Sequence, residues 1–186
     1  IGSELCRQII KMKPNLIVLL EHNENSLYNI HNELIEISQD QVLIKPILGS
    51  ATDSELVSKI FNDFSVKFVF HAAAYKHVPI VENNPIPGLL NNVFSTRNIC
   101  KLAKKFKVNK VILISSDKAV RPTNLMGASK RISELVVQAS QYISNKETSN
   151  LKSRTIFLMV RFGNVINSSG SVIPLFQKQI KDGGPI

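Results

Sequence analysis

At 186 residues and 44% hydrophobic content, the chain can bury one sizeable core and is too short to divide comfortably into two domains. Its 23 Lys plus Arg against 14 Asp plus Glu leave a formal charge of +9, which favours anionic ligands without choosing among nucleic acid, acidic lipid and a nucleotide diphosphate. The two cysteines, Cys6 and Cys100, lie in helical patterns without CxxC spacing, so neither a disulfide framework nor a zinc site is supported; no metal is expected, and a reducing, cytoplasmic compartment fits. No apolar run approaches the roughly 20 residues of a bilayer span.

In chain order, Ile1-Gly2-Ser3-Glu4-Leu5 reads as the last glycine of a Gly-rich turn entering a helix from Ser3 to Met12. Amides at such a helix start hold a pyrophosphate, which makes Gly2 a candidate cofactor residue. The apolar run Leu16 to Leu20 follows and ends at Glu21. A carboxylate there either accepts hydrogen bonds from an adenosine ribose or is a plain strand-end acid. Because it repels a 2′-phosphate, NAD is favoured over NADP, with nearby Asn23 keeping NADP open.

A helical pattern from Ser26 to Ile37 leads to the run Val42 to Leu48 and then to Gly49-Ser50-Ala51-Thr52-Asp53. These small residues would let an adenine ring approach the backbone, and Asp53 suits the N-cap of a helix reaching Phe64. The run Phe68 to His71 continues into Ala72-Ala73-Ala74-Tyr75-Lys76-His77-Val78-Pro79, where the alanines leave room for a bulky ligand. For His71 a buried structural role is favoured over a ligand role. One long helix is read from Pro85 to Phe106; its Lys101, Lys104 and Lys105, with Lys107, suit a wet face better than a nucleic-acid patch, so no nucleic-acid partner is expected.

The run Val111 to Ser115 precedes a helix from Asn124 to Ser144; a polar loop from Asn145 to Ser153, the run Ile156 to Val160 and a helix from Val172 to Lys181 complete the chain. Strand-length apolar runs alternating with amphipathic stretches predict right-handed crossovers and a mostly parallel sheet covered on both faces, in a doubly wound α/β domain over residues 1–186. Such a sheet takes ligands beyond the carboxyl ends of its strands.

The densest chemistry is Ser115-Ser116-Asp117-Lys118-Ala119-Val120-Arg121-Pro122-Thr123-Asn124-Leu125-Met126-Gly127-Ala128-Ser129-Lys130-Arg131. A hydroxyl, a carboxylate and an ammonium on consecutive residues at a strand end form a proton-transfer set beside the ligand crevice. Lys130 follows Met126 by one helical turn on the same face. Read without chemistry, the segment is a capped loop with surface lysines.

At these residues the sequence resembles the extended short-chain dehydrogenases, and within them the 4,6-dehydratases of the CapD-like polysaccharide biosynthesis family. The resemblance covers nearly the whole chain: the Gly2-Ser3-Glu4-Leu5 helix start, HAAAYKHVP from His71, SSDKAVRPTNLMGASKR from Ser115 and RFGNVINSSGSVIPLF from Arg161. The wider superfamily has a tyrosine four residues before the helix lysine, whereas this chain has Met126; part of the CapD-like family shares that methionine, which argues against the 4-epimerase reading. Asn92 fits the family's helix asparagine, with Ser95 where glycine is common.

The resemblance implies a Rossmann-type NAD(P)-binding domain and conversion of UDP-N-acetylglucosamine, or a similar UDP-N-acetylhexosamine, to a UDP-4-keto-6-deoxy sugar for bacterial surface polysaccharide. In such a reaction a hydride leaves sugar C4 for NAD(P)+, water is eliminated across C5 and C6, and the hydride returns to C6. By that analogy Asp117 is the acid, Lys118 the base, and Ser116 or a water held by it takes the C4 hydroxyl proton that Met126 cannot; burial would have to favour the neutral form of each charged partner. Lys130 is expected on the nicotinamide ribose, Gly2, Glu21, Ala72, Ala73 and Ala74 around the cofactor, and Lys76, His77, Arg161, Asn164, Ser168 and Gly170 around the nucleotide sugar. The alternatives are a UDP-hexose 4-epimerase and a non-catalytic NAD(P)-binding regulator. The chain also reads as a fragment of a homo-oligomeric parent, lacking the first strand, most of the glycine turn and the rest of the sugar-binding lobe, with room for a membrane anchor in the parent. An open sheet with exposed apolar surface follows from that reading.

Overall fold

The computed structural model describes residues 1–147, 154–163, 165 and 172–184. Helix α1 (Gly2–Ile10) precedes strand β1 (Leu16–Glu21), helix α2 (Glu24–Ser38), strand β2 (Leu43–Leu48) and helix α3 (Ser54–Asp63). Strand β3 (Phe68–His71) is followed by the short helices α4 (Val78–Asn83) and α5 (Pro85–Leu89), a π-helical turn (Leu90–Phe94) and helix α6 (Ser95–Lys105). Strand β4 (Lys110–Ile114), a 3₁₀ turn (Asp117–Ala119), helix α7 (Leu125–Glu147), strand β5 (Ile156–Val160) and helix α8 (Val172–Lys181) complete the order.

Local chemistry sets the helix starts. Asn23 accepts from the Ser26 amide at 2.8 Å to begin α2, and Asp53 accepts from the Glu55 and Leu56 amides, both at 3.0 Å, to begin α3. Gln39 closes α2 in the left-handed region, at φ 47°. The single helix expected from Pro85 to Phe106 is interrupted by the π turn, and a helix over Val78–Asn83 that the sequence reading leaves out precedes it. Pro79 and Pro85 each occupy an early helical position, where a missing amide costs nothing, so the chain starts two short helices instead of one.

All observed strand pairs are parallel. Leu16 to Glu21 run opposite Leu43 to Leu48, Phe68 to His71 opposite Lys110 to Leu113, and Lys110 to Ile114 opposite Ile156 to Val160. The expected single sheet is in two pieces among the described residues, β1-β2 and β3-β4-β5, because no hydrogen bonds join β1 to β3. A shared core holds the pieces together. Val57, Ile60 and Phe61 of α3, Cys100 and Ala103 of α6, Val111, Leu113, Val137 and Phe157 form one buried cluster, and Val18 and Leu20 of β1 pack against it.

The opposite side of β1 presents Ile17 and Leu19 to Ile10 of α1 and to Leu27, Ile30 and Leu34 of α2. Both faces of β1 are therefore covered, as predicted. The other piece departs from that expectation: Phe70, Ile112 and Leu158 share one cross-strand row, with Phe70 43% and Leu158 44% exposed. That row is an open apolar surface. Among the described residues no helix is long and apolar enough to cross a membrane.

Candidate active site

The carboxyl ends of β4 and β5 are tied beyond the strands themselves. The Ser115 amide donates to the Val160 carbonyl at 2.7 Å, and the Asp117 amide to the Phe162 carbonyl at 3.0 Å. This extended pairing presents Ser116, Asp117 and Lys118 at the sheet edge where a parallel fold takes its ligands. Ser116 caps the 3₁₀ turn: its Oγ accepts from the Lys118 amide at 3.2 Å and donates to Asp117 Oδ1 at 2.8 Å.

Lys118 Nζ lies 3.4 Å from the same carboxylate oxygen. The Ser116 hydroxyl first, and then Lys118, hold the Asp117 carboxyl below its ordinary range. The burial expected to favour neutral forms is absent, since the side chains of Asp117 and Lys118 are 56% and 42% exposed. Asp117 is thus a carboxylate in this state rather than a stored proton donor. The reason is that its nearest partners are a donating hydroxyl and an ammonium, both of which favour the anion.

Helix α7 carries this turn. Glu82 of α4 accepts from the Leu125 amide at 2.6 Å and Asn124 from the Gly127 amide at 2.8 Å, satisfying donors at the helix start. The Lys118 carbonyl sits directly over Gly127, where an added Cβ would lie 2.4 Å from it. Only a glycine lets the catalytic candidate's backbone approach the helix this closely.

One turn apart on α7, Met126 is 3% and Lys130 7% exposed. Met126 fills an apolar position where the wider superfamily carries a phenol. Lys130 Nζ donates to the Ile114 carbonyl at 2.7 Å, and burial pulls its pKa down to about 8. Behind them runs a buried polar layer. Asn92 accepts from the Tyr75 amide at 2.7 Å and donates to the Tyr75 carbonyl at 3.0 Å and to Ser129 Oγ at 2.9 Å, pinning the loop after β3 to α7. His71 bonds Thr96 Oγ1 at 3.1 Å and lies 3.3 Å from Ser95 Oγ, and burial keeps it neutral, with a pKa of about 4. This is the structural role favoured for His71, and Ser95 at the family's glycine position belongs to that layer.

Of the candidate cofactor residues, Glu21 ends β1 and Ala72, Ala73 and Ala74 follow β3. Glu21 accepts from the Asn23 amide at 2.8 Å and lies 3.2 Å from His22 Nδ1. His22 meets Tyr75 edge-to-face at 6.3 Å, which draws the two strand ends together across the break in the sheet. Ala73 is exposed and Ala72 and Ala74 are half-buried. No atom outside its own helix lies within 4 Å of a Cβ built on Gly2, so the first turn of α1 is open. At Gly49 the end of the Leu56 side chain packs where a Cβ would stand.

Lys76 and His77 are exposed on the loop leading into α4. Arg161, expected to face the diphosphate, directs Nε and Nη2 to Glu134 at 2.7 and 2.6 Å. Asn164, Ser168 and Gly170 lie outside the described residues. Sequence reasoning missed Glu82 and Glu134. The signal for Glu134 was available: it follows Lys130 by four residues, on the face of α7 that also buries Ser133 and Val137, where an acid is out of place unless paired.

The polysaccharide biosynthesis protein family matches residues 1–186. The chain is 45% identical to the capsular polysaccharide biosynthesis protein CapD of Staphylococcus aureus over 186 residues, all of this chain and 30% of that protein. It is 36% identical over 172 residues to a UDP-N-acetylglucosamine 4,6-dehydratase (inverting) of Campylobacter jejuni, covering 92% of this chain and 47% of the other. A UDP-glucose 4-epimerase of Rickettsia bellii is 39% identical over 149 residues, 80% of this chain and 41% of that protein. Among solved structures, Pen from Bacillus thuringiensis superposes with a TM-score of 0.84 at 34% identity, over 97% of this chain and 54% of that one. The chain thus spans between 30% and 54% of the length of these proteins. With its parallel strands and alternating helices it has the Rossmann-type α/β architecture of the extended short-chain dehydrogenases, and, matched along its entire length, it belongs to the CapD-like polysaccharide biosynthesis protein family.

Proposed function

We propose that the protein is a nucleotide-sugar 4,6-dehydratase that takes UDP-N-acetylglucosamine or a similar UDP-N-acetylhexosamine to its 4-keto-6-deoxy product for surface polysaccharide. The observation that carries this reading is the Ser116-Asp117-Lys118 set at the carboxyl end of β4, held over α7 by the contact of the Lys118 carbonyl with Gly127. A carboxylate bridged to a hydroxyl and an ammonium suits successive proton transfers on neighbouring sugar carbons.

The residues present fit a nicotinamide dinucleotide: an open first turn of α1 at Gly2, the Glu21 carboxylate at the end of β1, small residues at Ala72 to Ala74, and the Lys130 ammonium buried beneath the catalytic turn. When bound, it supplies acceptance of the C4 hydride and its return at C6. NAD is preferred over NADP because Glu21 would repel a 2′-phosphate.

The hydrogen-bond direction at Ser116 supports one order for the proton transfers. Ser116 accepts the proton of the C4 hydroxyl and passes its own to Asp117, which starts as an anion. Asp117, now protonated and neutral, donates to the departing C6 hydroxyl; Lys118, which must first release its ammonium proton to water, takes the C5 proton made acidic by the adjacent C4 ketone and returns it to C5 when the hydride reaches C6. The acid is thereby charged by the first step of its own cycle. Met126, buried and without an ionisable group, has no part in these transfers.

The test is incubation of the intact protein with UDP-N-acetylglucosamine and no added reductant, followed by mass spectrometry. A product lighter by one water supports the dehydratase. A product of unchanged mass and altered C4 configuration would replace it with the epimerase reading, which the Rickettsia bellii relative's name keeps in view.

A further inference from the structure

Glu134 lies in the middle of α7 with its side chain 0% exposed. A carboxylate so far from water is unfavourable unless its oxygens are fully paired. Four donors converge on it: Ser115 Oγ at 2.7 Å and Arg161 Nε at 2.7 Å on Oε1, Arg161 Nη2 at 2.6 Å and Arg131 Nη1 at 2.9 Å on Oε2. These fill the acceptor capacity of an ionised carboxylate. They also come from three elements: α7 itself, the residue after β4, and the residue after β5.

The geometry at Arg161 is the informative part. A guanidinium is a planar fork, and here one edge, Nε with Nη2, is committed to both oxygens of a buried anion, which fixes the plane. The side chain nevertheless remains 41% exposed, so part of it is open to solvent where β5 ends. Two arginines against one carboxylate leave the cluster positive, as an anion site requires. The same carboxylate holds Ser115, whose neighbour Ser116 bonds the catalytic carboxylate. Arg161 as the principal partner keeps the Glu134 carboxyl ionised, with a pKa of about 2.

We propose that Glu134 is a positioning residue that presents the outer edge of Arg161, in fixed register with the Ser115-Ser116 end of β4, to the diphosphate of the ligand. This rests on the nucleotide-sugar reading above. Glu134 touches neither sugar nor nucleotide; it acts by removing the rotamer freedom Arg161 would otherwise lose on binding.

UDP binding to the intact protein is measured by calorimetry for wild type, Glu134→Gln, Arg161→Gln and the double variant, with KM and kcat alongside. Glu134→Gln should weaken UDP about tenfold and raise KM to match while kcat changes less than about threefold, as lost positioning of a binding group predicts. In the Arg161→Gln background the same change should alter Kd by less than about twofold, because the interaction is already gone. Unchanged or tighter UDP binding by a folded Glu134→Gln would overturn the proposal, and so would an equal loss in both backgrounds, which marks a merely structural role. If Glu134→Gln does not fold, Glu134→Asp, which keeps the charge and shortens the arm, carries the same expectations. A wild-type protein that fails to bind UDP would sink the nucleotide-sugar reading and the positioning role together, whereas equal binding by wild type and variant sinks the positioning role alone.

Discussion

Replacing Gly127 by alanine sets two effects of known size against each other. Alanine is the better helix former by about 1 kcal/mol, and position 127 lies in the first turn of α7, so propensity alone predicts a more stable protein. The added Cβ would stand 2.4 Å from the Lys118 carbonyl oxygen, with Pro122 Cβ at 3.1 Å and Asn124 Oδ1 at 3.3 Å. Ordinary contact begins near 3.4 Å, so the Lys118 carbonyl has to retreat by about 1 Å. Overpacking of this kind costs about 1–3 kcal/mol. The net stability change is therefore small, a loss of about 0–2 kcal/mol after the helix term is subtracted. Activity should respond far more, because a displacement of about 1 Å in a catalytic group costs about 10²-fold in rate. Urea denaturation followed by fluorescence gives the first quantity, and mass-spectrometric product formation by the intact protein gives the second. A Gly127→Ala protein stabilised by about 1 kcal/mol with undiminished turnover would refute the claim that this contact sets the position of the catalytic turn.

Asp117→Asn should leave the denaturation midpoint within about 0.5 kcal/mol of wild type, because the side chain is exposed, and lower dehydration by about 10²–10⁴-fold in the product assay. Lys130, with its folded pKa lowered from 10.5 to about 8, binds fewer protons folded than unfolded between those values. Stability should therefore rise with pH across that window, by at most about 1.4 kcal/mol per unit, and the penalty is fully present below pH 8. Urea titrations at several pH values should show this rise in wild type and its loss in Lys130→Met. Asn92→Ala removes four buried or part-buried hydrogen bonds and leaves the Tyr75 amide without its acceptor, so stability should fall by about 2–4 kcal/mol, measured by thermal and urea unfolding.

The strands were legible because a parallel sheet buries short β-branched runs, and Phe68–His71 and Ile156–Val160 stand as the sequence predicts them. Helix starts were legible where a capping side chain precedes the first turn, as at Asp53. The region between His77 and Ser95 was not, because apolar periodicity continues through it while Pro79, Pro85 and a π turn change its course. At the site, the types of group at Ser116, Asp117 and Lys118 could be read from the chain, but not their environment. A sequence shows that a carboxylate and an ammonium are neighbours; it does not show that both remain wet. Nor does it reveal the partner of Glu134: the spacing on α7 marks a buried acid, but Arg161, which pairs it, lies 27 residues away in the chain.

The π turn over Leu90–Phe94 inserts a residue into what would otherwise be a continuous helix. Each residue of an α-helix advances its face by about 100°, so the segment before the turn is out of phase with α6 by that angle. Deleting one residue between 90 and 94 would restore an unbroken helix and rotate Pro85 to Leu89 about its axis by about 100° relative to the core-facing stripe of α6. Chain length here acts as a dial. Substitutions along this stretch can be absorbed by local repacking, whereas loss or gain of one residue turns every upstream side chain to a different neighbour at once. Insertions and deletions between Asn84 and Ser95 should for that reason be far less tolerated than in the loops at either end of α3.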